Sequence, residues 1–412
     1  MARGPGDSTG TVRQQYEDYP YPPRDPADEA KGLRLGSPSH LWELNHYVFA
    51  GLRDFARPFR ALVAGGGTGD GTIMLAQQLA DVGAPAEIVY LDLSDASREI
   101  AEARAKARGL TSISFRHGDL RAAAELGPFD YIDCCGVLHH LDEPSAGFAA
   151  LRDALAPDGG MGVMLYGAAG RTGVYHVQAL LKMVAAGRPN PDRVETAKRL
   201  LADLPPTNWL VRNPFVEDHK TLSDAGLFDL LLHSTDRAYD VVALNSLVEG
   251  AGLRIAAMIE PARYDPDTYL HDAGLRASAA GLDWIERCHF AELLAGNITK
   301  HIAYLVHGAN TADTVARPDD ANAIPVMRDV PAPAIARAIG SGGKITVDAG
   351  GMKVEAALPP LAAAMLRALD GKRTLDQIRR ALDPVPDPAA FQEQFVQVYR
   401  VLNGFNQMYL RF

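Results

Sequence analysis

From residue 59 onward, short apolar runs alternate with longer stretches whose apolar residues recur every three to four positions. The runs lie at about 59–64, 87–92, 112–116, 129–135, 162–166, 253–259 and 300–306. Each has the length of a buried strand. Between them, 72–79, 96–108, 146–155 and 244–251 carry helical spacing. Strand and helix in alternation predict a parallel sheet with helices on both faces. Two insertions interrupt the rhythm. One spans about 171–240, with helical stretches at 175–185 and 193–204 around Pro205 and Pro206. The other spans about 265–297, with a helical stretch at 275–296. Insertions beside a sheet edge are natural caps for a pocket.

The flanks read differently. Residues 1 to about 12 are small and polar, as in a frayed tail. Tyr16, Tyr19 and Tyr21 then interleave with Pro20, Pro22 and Pro23. Proline forces an extended chain here rather than a helix interior. The tyrosines form either a linker packed on the domain surface or an aromatic lid over a pocket. An amphipathic helix over about 41–52 completes an N-terminal arm of residues 1–58. After residue 308 the chain is polar and loop-like to about 324. Residues 325–412 look like a separate module. Two short strands flank the hairpin turn Asp348–Gly351, and three amphipathic helices follow at about 359–370, 374–382 and 389–405. That pattern is winged-helix-like.

Composition narrows the function. The chain has 412 residues, too many for one compact core, so about two or three domains are expected. Its net charge is −10, from 41 basic and 51 acidic side chains. This argues against a nucleic-acid surface. No apolar run reaches the roughly 18 residues of a membrane span, and the N-terminus lacks a secretory core. Cys134, Cys135 and Cys288 cannot build a disulfide framework, which fits a reducing, cytoplasmic setting.

The chemistry begins at the end of the first strand, with Gly65, Gly66, Gly67, Thr68 and Gly69. Such a loop lets the backbone approach a ligand closely. The dinucleotide fingerprint fails, because Asp70 and Thr72 stand where its last glycine would be. A P-loop fails too, since no Gly-Lys-Ser/Thr follows. The nucleoside binder that remains is S-adenosylmethionine (SAM). Asp92 ends the second strand, where a carboxylate can accept hydrogen bonds from both ribose hydroxyls. Asp119 ends the third, where an adenine amine needs an acceptor. Each acid alone could equally be a capping or turn residue. Leu93, Leu120, Cys135 and Gly136 complete the expected cofactor contacts. Asp70 either helps to hold the amino group of the methionine tail or caps the next helix.

These motifs resemble those of the class I SAM-dependent methyltransferases. The resemblance covers roughly 59–308, and most strongly 59–167. Gly65, Gly67 and Gly69 match the glycine motif, Asp92 the ribose-binding acid and Asp119 the adenine-binding acid. Residues 129–132 with 137–141 are similar to the fourth-strand motif of small-molecule members. Residues 155–160 resemble the turn before strand five. The resemblance implies a seven-stranded Rossmann-like α/β sheet, its last strand antiparallel and supplied by 300–307, to which the two insertions add helical caps. One departure stands out. The family often carries an acid two residues before the first glycine, and here that residue is Val63.

SAM brings its own leaving group, so the protein mainly orients the reactants. A base is needed only for a protonated nucleophile. His139 and His140, just after strand four, are candidates, or else they order the loop beside the cofactor. A metal site from Cys134, Cys135, His139 and His140 is disfavoured, because adjacent strand residues point to opposite faces. The acceptor pocket is expected to draw on Tyr16, Tyr19, Tyr21, Tyr166, Arg171, Tyr175, His233 and Arg237. Arginine there could bind an acidic substrate, or only bridge within the cap. His301 and His307 read as ordinary strand residues. The expected activity is methyl transfer from SAM to a small molecule, leaving S-adenosylhomocysteine. The alternatives are a protein or peptide acceptor recognised through the C-terminal module, and a SAM-binding protein without catalysis.

Overall fold

The computed structural model describes residues 8–221 and 223–412. Seven strands form one sheet: β1 (Phe59–Ala64), β2 (Ala86–Asp92), β3 (Ile113–His117), β4 (Phe129–Cys135), β5 (Leu155–Tyr166), β6 (Leu253–Met258) and β7 (Lys300–His307). Their order is β3-β2-β1-β4-β5-β7-β6. Strand β7 runs antiparallel to both neighbours, as expected for 300–307, and β1 to β5 pair in parallel. The order reverses at β1, which opens the crevice where such sheets bind ligands.

The sheet is apolar throughout because both faces are covered. Along β1, Leu62 and Ala64 join one core with Ile132, Cys134, Phe148 and Val163. Ala61 and Val63 join the other with Leu75, Ile88, Tyr131 and Tyr304. This is the two-residue period of a strand, written twice into one apolar run. Five helices flank the first five strands: α1 (Ser8–Asp18), α2 (Leu41–Val48), α3 (Asp70–Asp81), α4 (Asp95–Ala107) and α5 (Pro144–Ala154).

Several expectations need correction. Residues 1–7 of the expected tail lie outside the described residues. From Ser8 the chain is helical, so Tyr16 sits in α1 and only Tyr19 and Tyr21 follow its end. Glu17 explains part of this, since its carboxylate accepts from the Asp95 and Ala96 N–H groups at the start of α4 (2.7 and 3.2 Å). The expected turn at 155–160 belongs to β5, whose pairing with β4 shifts register between Phe129 and Tyr131. The helix expected at 275–296 is two, Ala273–Ala280 and Trp284–Ala295, divided at Gly281.

The first insertion folds into α6 (Val174–Ala185) and α7 (Asn190–Asp203), followed by short turns. It has its own core of Val177, Leu181, Leu210, Phe228 and Leu231. Residues Phe228–Leu232 form a π-helical turn, a geometry frequent at functional sites.

The C-terminal hairpin is β9 (Lys344–Asp348) with β10 (Lys353–Ala357); β8 (Ile324–Met327) pairs with β11 (Met408–Arg411) beside it. The three expected helices are Ala362–Ala368, Leu375–Arg380 and Pro388–Gly404, and a fourth, Ala332–Ala338, precedes the hairpin. The second sheet and the fourth helix go beyond the winged-helix-like pattern. The module has its own core, with Leu366, Leu375, Phe391 and Phe395, yet it is stitched to α2. Buried Glu43 accepts from Tyr409 Oη (2.8 Å), Asn406 Nδ2 (3.0 Å), Ser37 Oγ (2.7 Å) and Tyr304 Oη (3.0 Å). His46 bonds Tyr399 Oη (2.8 Å) and accepts from the Leu410 N–H (3.0 Å). Burial pushes its imidazole down to about 3, so it stays neutral. No described helix is long and apolar enough to cross a membrane.

Candidate functional site

The carboxyl ends of β1 to β5 open into a cavity of about 980 Å³. At its floor, Gly65, Gly67 and Gly69 all take positive φ (75°, 51° and 98°), a conformation open mainly to glycine. A Cβ at Gly65 would meet Val137, and one at Gly66 would enter the Tyr90 ring. The loop is held from β2: Asp92 Oδ2 accepts the Gly67 N–H (2.8 Å) and Oδ1 accepts the Ser94 N–H (2.8 Å). Burial raises the Asp92 carboxyl above its usual range, against these backbone bonds. Tyr90 Oη donates to the Gly67 carbonyl (2.7 Å).

Asp119 caps a short 3-10 helix, accepting the Arg121 N–H (2.8 Å), and also pairs with the Arg121 guanidinium (2.9–3.0 Å from Nε). Burial alone would raise its pKa. The Arg121 bonds outweigh this and leave it below the usual range. The acid therefore faces the cavity and serves as a cap at once.

Asp70 lines the cavity but does not cap the next helix. The N-cap of α3 is Gly69, and Asp70 stands one residue inside the first turn. Its carboxylate meets Arg24 from the arm (Nε–Oδ1 2.9 Å) and Arg104 from α4 (Nη1–Oδ1 2.7 Å). Arg104 also reaches the Thr68 carbonyl (2.7 Å) and Glu29 (2.6 Å). The arm, loop and α4 are thus tied by one ion network. Burial opposes ionisation of Asp70, but the two guanidiniums win and hold its pKa down. That stabilisation is present at neutral pH and fades as acid protonates the carboxylate below its usual pKa. Asp70→Asn, which leaves Arg104 half-paired, is expected to cost about 1–3 kcal/mol. A denaturant titration at pH 7 checks this, with no change counting against the network.

The arm crosses the cavity mouth. Thr68 Oγ1 donates to the Pro22 carbonyl (2.7 Å), and Ser94 Oγ to that of Tyr16 (3.2 Å). Tyr16 and Tyr21 line the cavity with Tyr166, Arg171 and His140. The Arg171 guanidinium lies over the Tyr166 ring at 3.6 Å and 3.2 Å from Asp236 Oδ2. The other expected pocket residues, and the candidate base His139, fall behind the wall. Tyr19 stacks on Phe228 (5.2 Å) in the cap core. His139 is buried against Tyr166 and His233 stacks on His140 (4.0 and 3.7 Å between centroids). Tyr175 packs near Arg171, and Arg237 donates to the Asp142 carbonyl (3.0 Å) at the surface. Gly69 is likewise behind the loop, against Ala101. The remaining expected cofactor contacts, Leu93, Leu120, Cys135 and Gly136, line the cavity. His139, His140 and Asp236 do bring possible ligand atoms within 4.8 Å of one another, but Arg171 already supplies positive charge there.

Two acids were missed. Asp133, on β4, is buried among apolar neighbours and lines the cavity. Asp229, in the π-helical turn, accepts from Tyr166 Oη (2.9 Å) and Tyr16 Oη (3.2 Å), and burial pushes its carboxyl up to about 6. The sequence carried one signal for both: a lone carboxylate within an apolar run, Tyr131–Cys135 or Leu227–Leu232.

The cavity joins a glycine loop to acids on consecutive strands, and comparisons with known proteins agree with what that implies. A family profile described as a methyltransferase domain matches residues 62–161. An uncharacterised protein of Synechococcus is 30% identical over 312 residues, 73% of this chain and 72% of its own. PKMT2 from Rickettsia typhi shares the fold, with a TM-score of 0.61 at 13% identity over 90% of this chain and 74% of that one. A second structure of PKMT2, in complex with AdoHcy, gives a TM-score of 0.60 over the same shares at 13% identity. On the loop, the strand order and these matches together, residues 62–161 are a methyltransferase domain, and the sheet has the fold of the class I SAM-dependent methyltransferases.

Proposed function

We propose that this enzyme methylates a small molecule enclosed between the sheet edge and the helical cap. One observation carries the reading. A single cavity runs from the glycine loop, Asp92 and Asp119 to an end walled by Tyr16, Tyr21, Tyr166, Arg171 and Asp229. The donor residues and a roofed acceptor space thus share one enclosure, which suits a compact ligand.

In this reading Asp92 takes the ribose hydroxyls with the lone pairs its two backbone donors leave free. Asp119 takes the adenine amine. The glycine loop lies along the methionine tail, where a side chain at Gly65 or Gly66 would displace Val137 or Tyr90. When bound, SAM supplies a methyl group on a sulfonium for in-line displacement. The aromatic walls hold the acceptor and exclude water, which is the larger part of what such a transfer asks of a protein.

A protonated acceptor meets His140 and Asp229 at the capped end. Burial keeps His140 neutral, well below the usual histidine range. Asp229, titrating near 6, is ionised at neutral pH and placed by two phenols to receive a proton. Turnover is expected to fall as pH drops below about 6. Asp229→Asn is expected to remove that acid limb and to lower kcat about a hundredfold or more, with SAM affinity kept. A retained limb would assign the titration elsewhere.

The test of acceptor class uses SAM carrying a trideuterated methyl group. It is offered to a panel of small phenols, alcohols and amines and, separately, to peptides bearing lysine, arginine and glutamate. Label on small molecules is the expected result. Label on peptides alone would overturn the reading.

A further inference from the structure

Asp133 is a buried acid with no charged partner among the described residues. It stands in the middle of the sheet, only 1% exposed. Its Oδ2 accepts from Ser39 Oγ and the Cys135 N–H lies close enough to favour the carboxylate, while Oδ1 is buried with no donor in full hydrogen-bonding geometry. Among the described residues, no arginine, lysine or histidine contributes a charge that offsets it. A carboxylate left so is costly, and burial accordingly pushes its pKa up to about 6. A buried acid with a spare oxygen, in the lining of a cavity, has the chemistry to receive a cation.

Its position says which cation. In the sheet, Asp133 is the register partner of Val63 on β1, two residues before the first glycine. Side chains at paired positions point to the same face. A Cβ on Gly71, in the first turn of α3, would lie 2.7 Å from Asp133 Oδ2, so the acid sits beneath the glycine loop and the start of that helix. Asp119, Asp92, the glycine loop and Asp133 follow β3, β2, β1 and β4, which are consecutive in the sheet. Three strand spacings span about 14 Å, the scale of a nucleoside extended by an amino-acid tail. The groups along that line are two acids for adenine and ribose, a loop for the thioether, and then one carboxylate without a charged partner.

We propose that Asp133 binds the α-ammonium of the methionine tail of SAM, so that β4 supplies the negative charge that β1 lacks at Val63. This rests on the SAM site proposed above. Ser39 is then a positioning residue that fixes Oδ2 and leaves Oδ1 to the ligand. Asp70, neutralised by Arg24 and Arg104, has no comparable free charge to offer.

The test compares two ligands on the full chain by calorimetry. S-adenosylhomocysteine carries the amino-acid tail, and 5′-methylthioadenosine carries the nucleoside and sulfur without it. Asp133→Asn is expected to weaken the first about tenfold to a hundredfold and to leave the second unchanged. Asp133→Ser gives a second uncharged variant should the amide perturb folding, with unfolding midpoints recorded for both. Equal loss for both ligands would make the effect structural and overturn the proposal, as would no loss for either. A wild-type chain that binds neither ligand would instead remove the underlying SAM site, and the proposal with it.

Discussion

Asp92→Ala is expected to weaken SAM binding by two to four orders of magnitude. Two mechanisms add. In the proposed site the side chain accepts two ribose hydrogen bonds, and hydrogen bonds to a charged group contribute about 1.5–3 kcal/mol each. It also accepts the Gly67 and Ser94 N–H groups at 2.8 Å, so alanine orphans two donors and loosens the loop. Asp92→Asn separates the two effects. It keeps an acceptor but places an amine against one of the donors, so the loop suffers while one ribose bond survives. Calorimetry with SAM reads both variants. Affinity within threefold of wild type in Asp92→Ala would show that the ribose lies elsewhere.

The second large effect concerns the C-terminal module. Removing 325–412 is expected to abolish cooperative folding rather than merely to delete a recognition surface. Tyr409, Asn406, Tyr399 and Asn403 satisfy Glu43 and His46 on α2, and both of those residues are fully buried. Without them a buried carboxylate loses two of its four hydrogen-bond donors, and hydrogen bonds to a charged group contribute about 1.5–3 kcal/mol each. The Tyr47 ring, which meets Tyr409 edge-on, is uncovered as well. A typical domain has only about 5–15 kcal/mol of stability in total. Soluble yield and thermal melting of the truncated chain test this. A truncated protein that melts at the full-length temperature would make the module an independent appendage. A milder probe of the same network is Tyr409→Phe, which removes one hydroxyl and is expected to cost about 1–2 kcal/mol.

The sheet was legible because burial on both faces writes each strand as a compact apolar run, and Phe59–Ala64 ends in glycines whose backbone freedom the loop needs. Asp92 and Asp119 were legible because a strand end is a defined place in sequence. What could not be read depends on distance in the chain. Asp70 looks like a free acid until Arg24 and Arg104 arrive from 46 and 34 residues away. Helix α1 is polar enough to pass for a tail, and its place comes from Glu17 meeting the start of α4. The pairing of Val63 with Asp133 joins residues 70 positions apart and appears only once β1 and β4 are neighbours. His139 and His140 are adjacent in sequence, yet His140 lines the cavity and His139 packs behind it, since consecutive residues in a tight turn diverge.

The most direct test of this account is a crystal structure of the full chain with S-adenosylhomocysteine. Adenine is expected at Asp119, both ribose hydroxyls within hydrogen-bonding distance of Asp92, and the tail ammonium at Asp133. A ligand in the cavity with its ribose away from Asp92, or one bound outside the cavity, would contradict it.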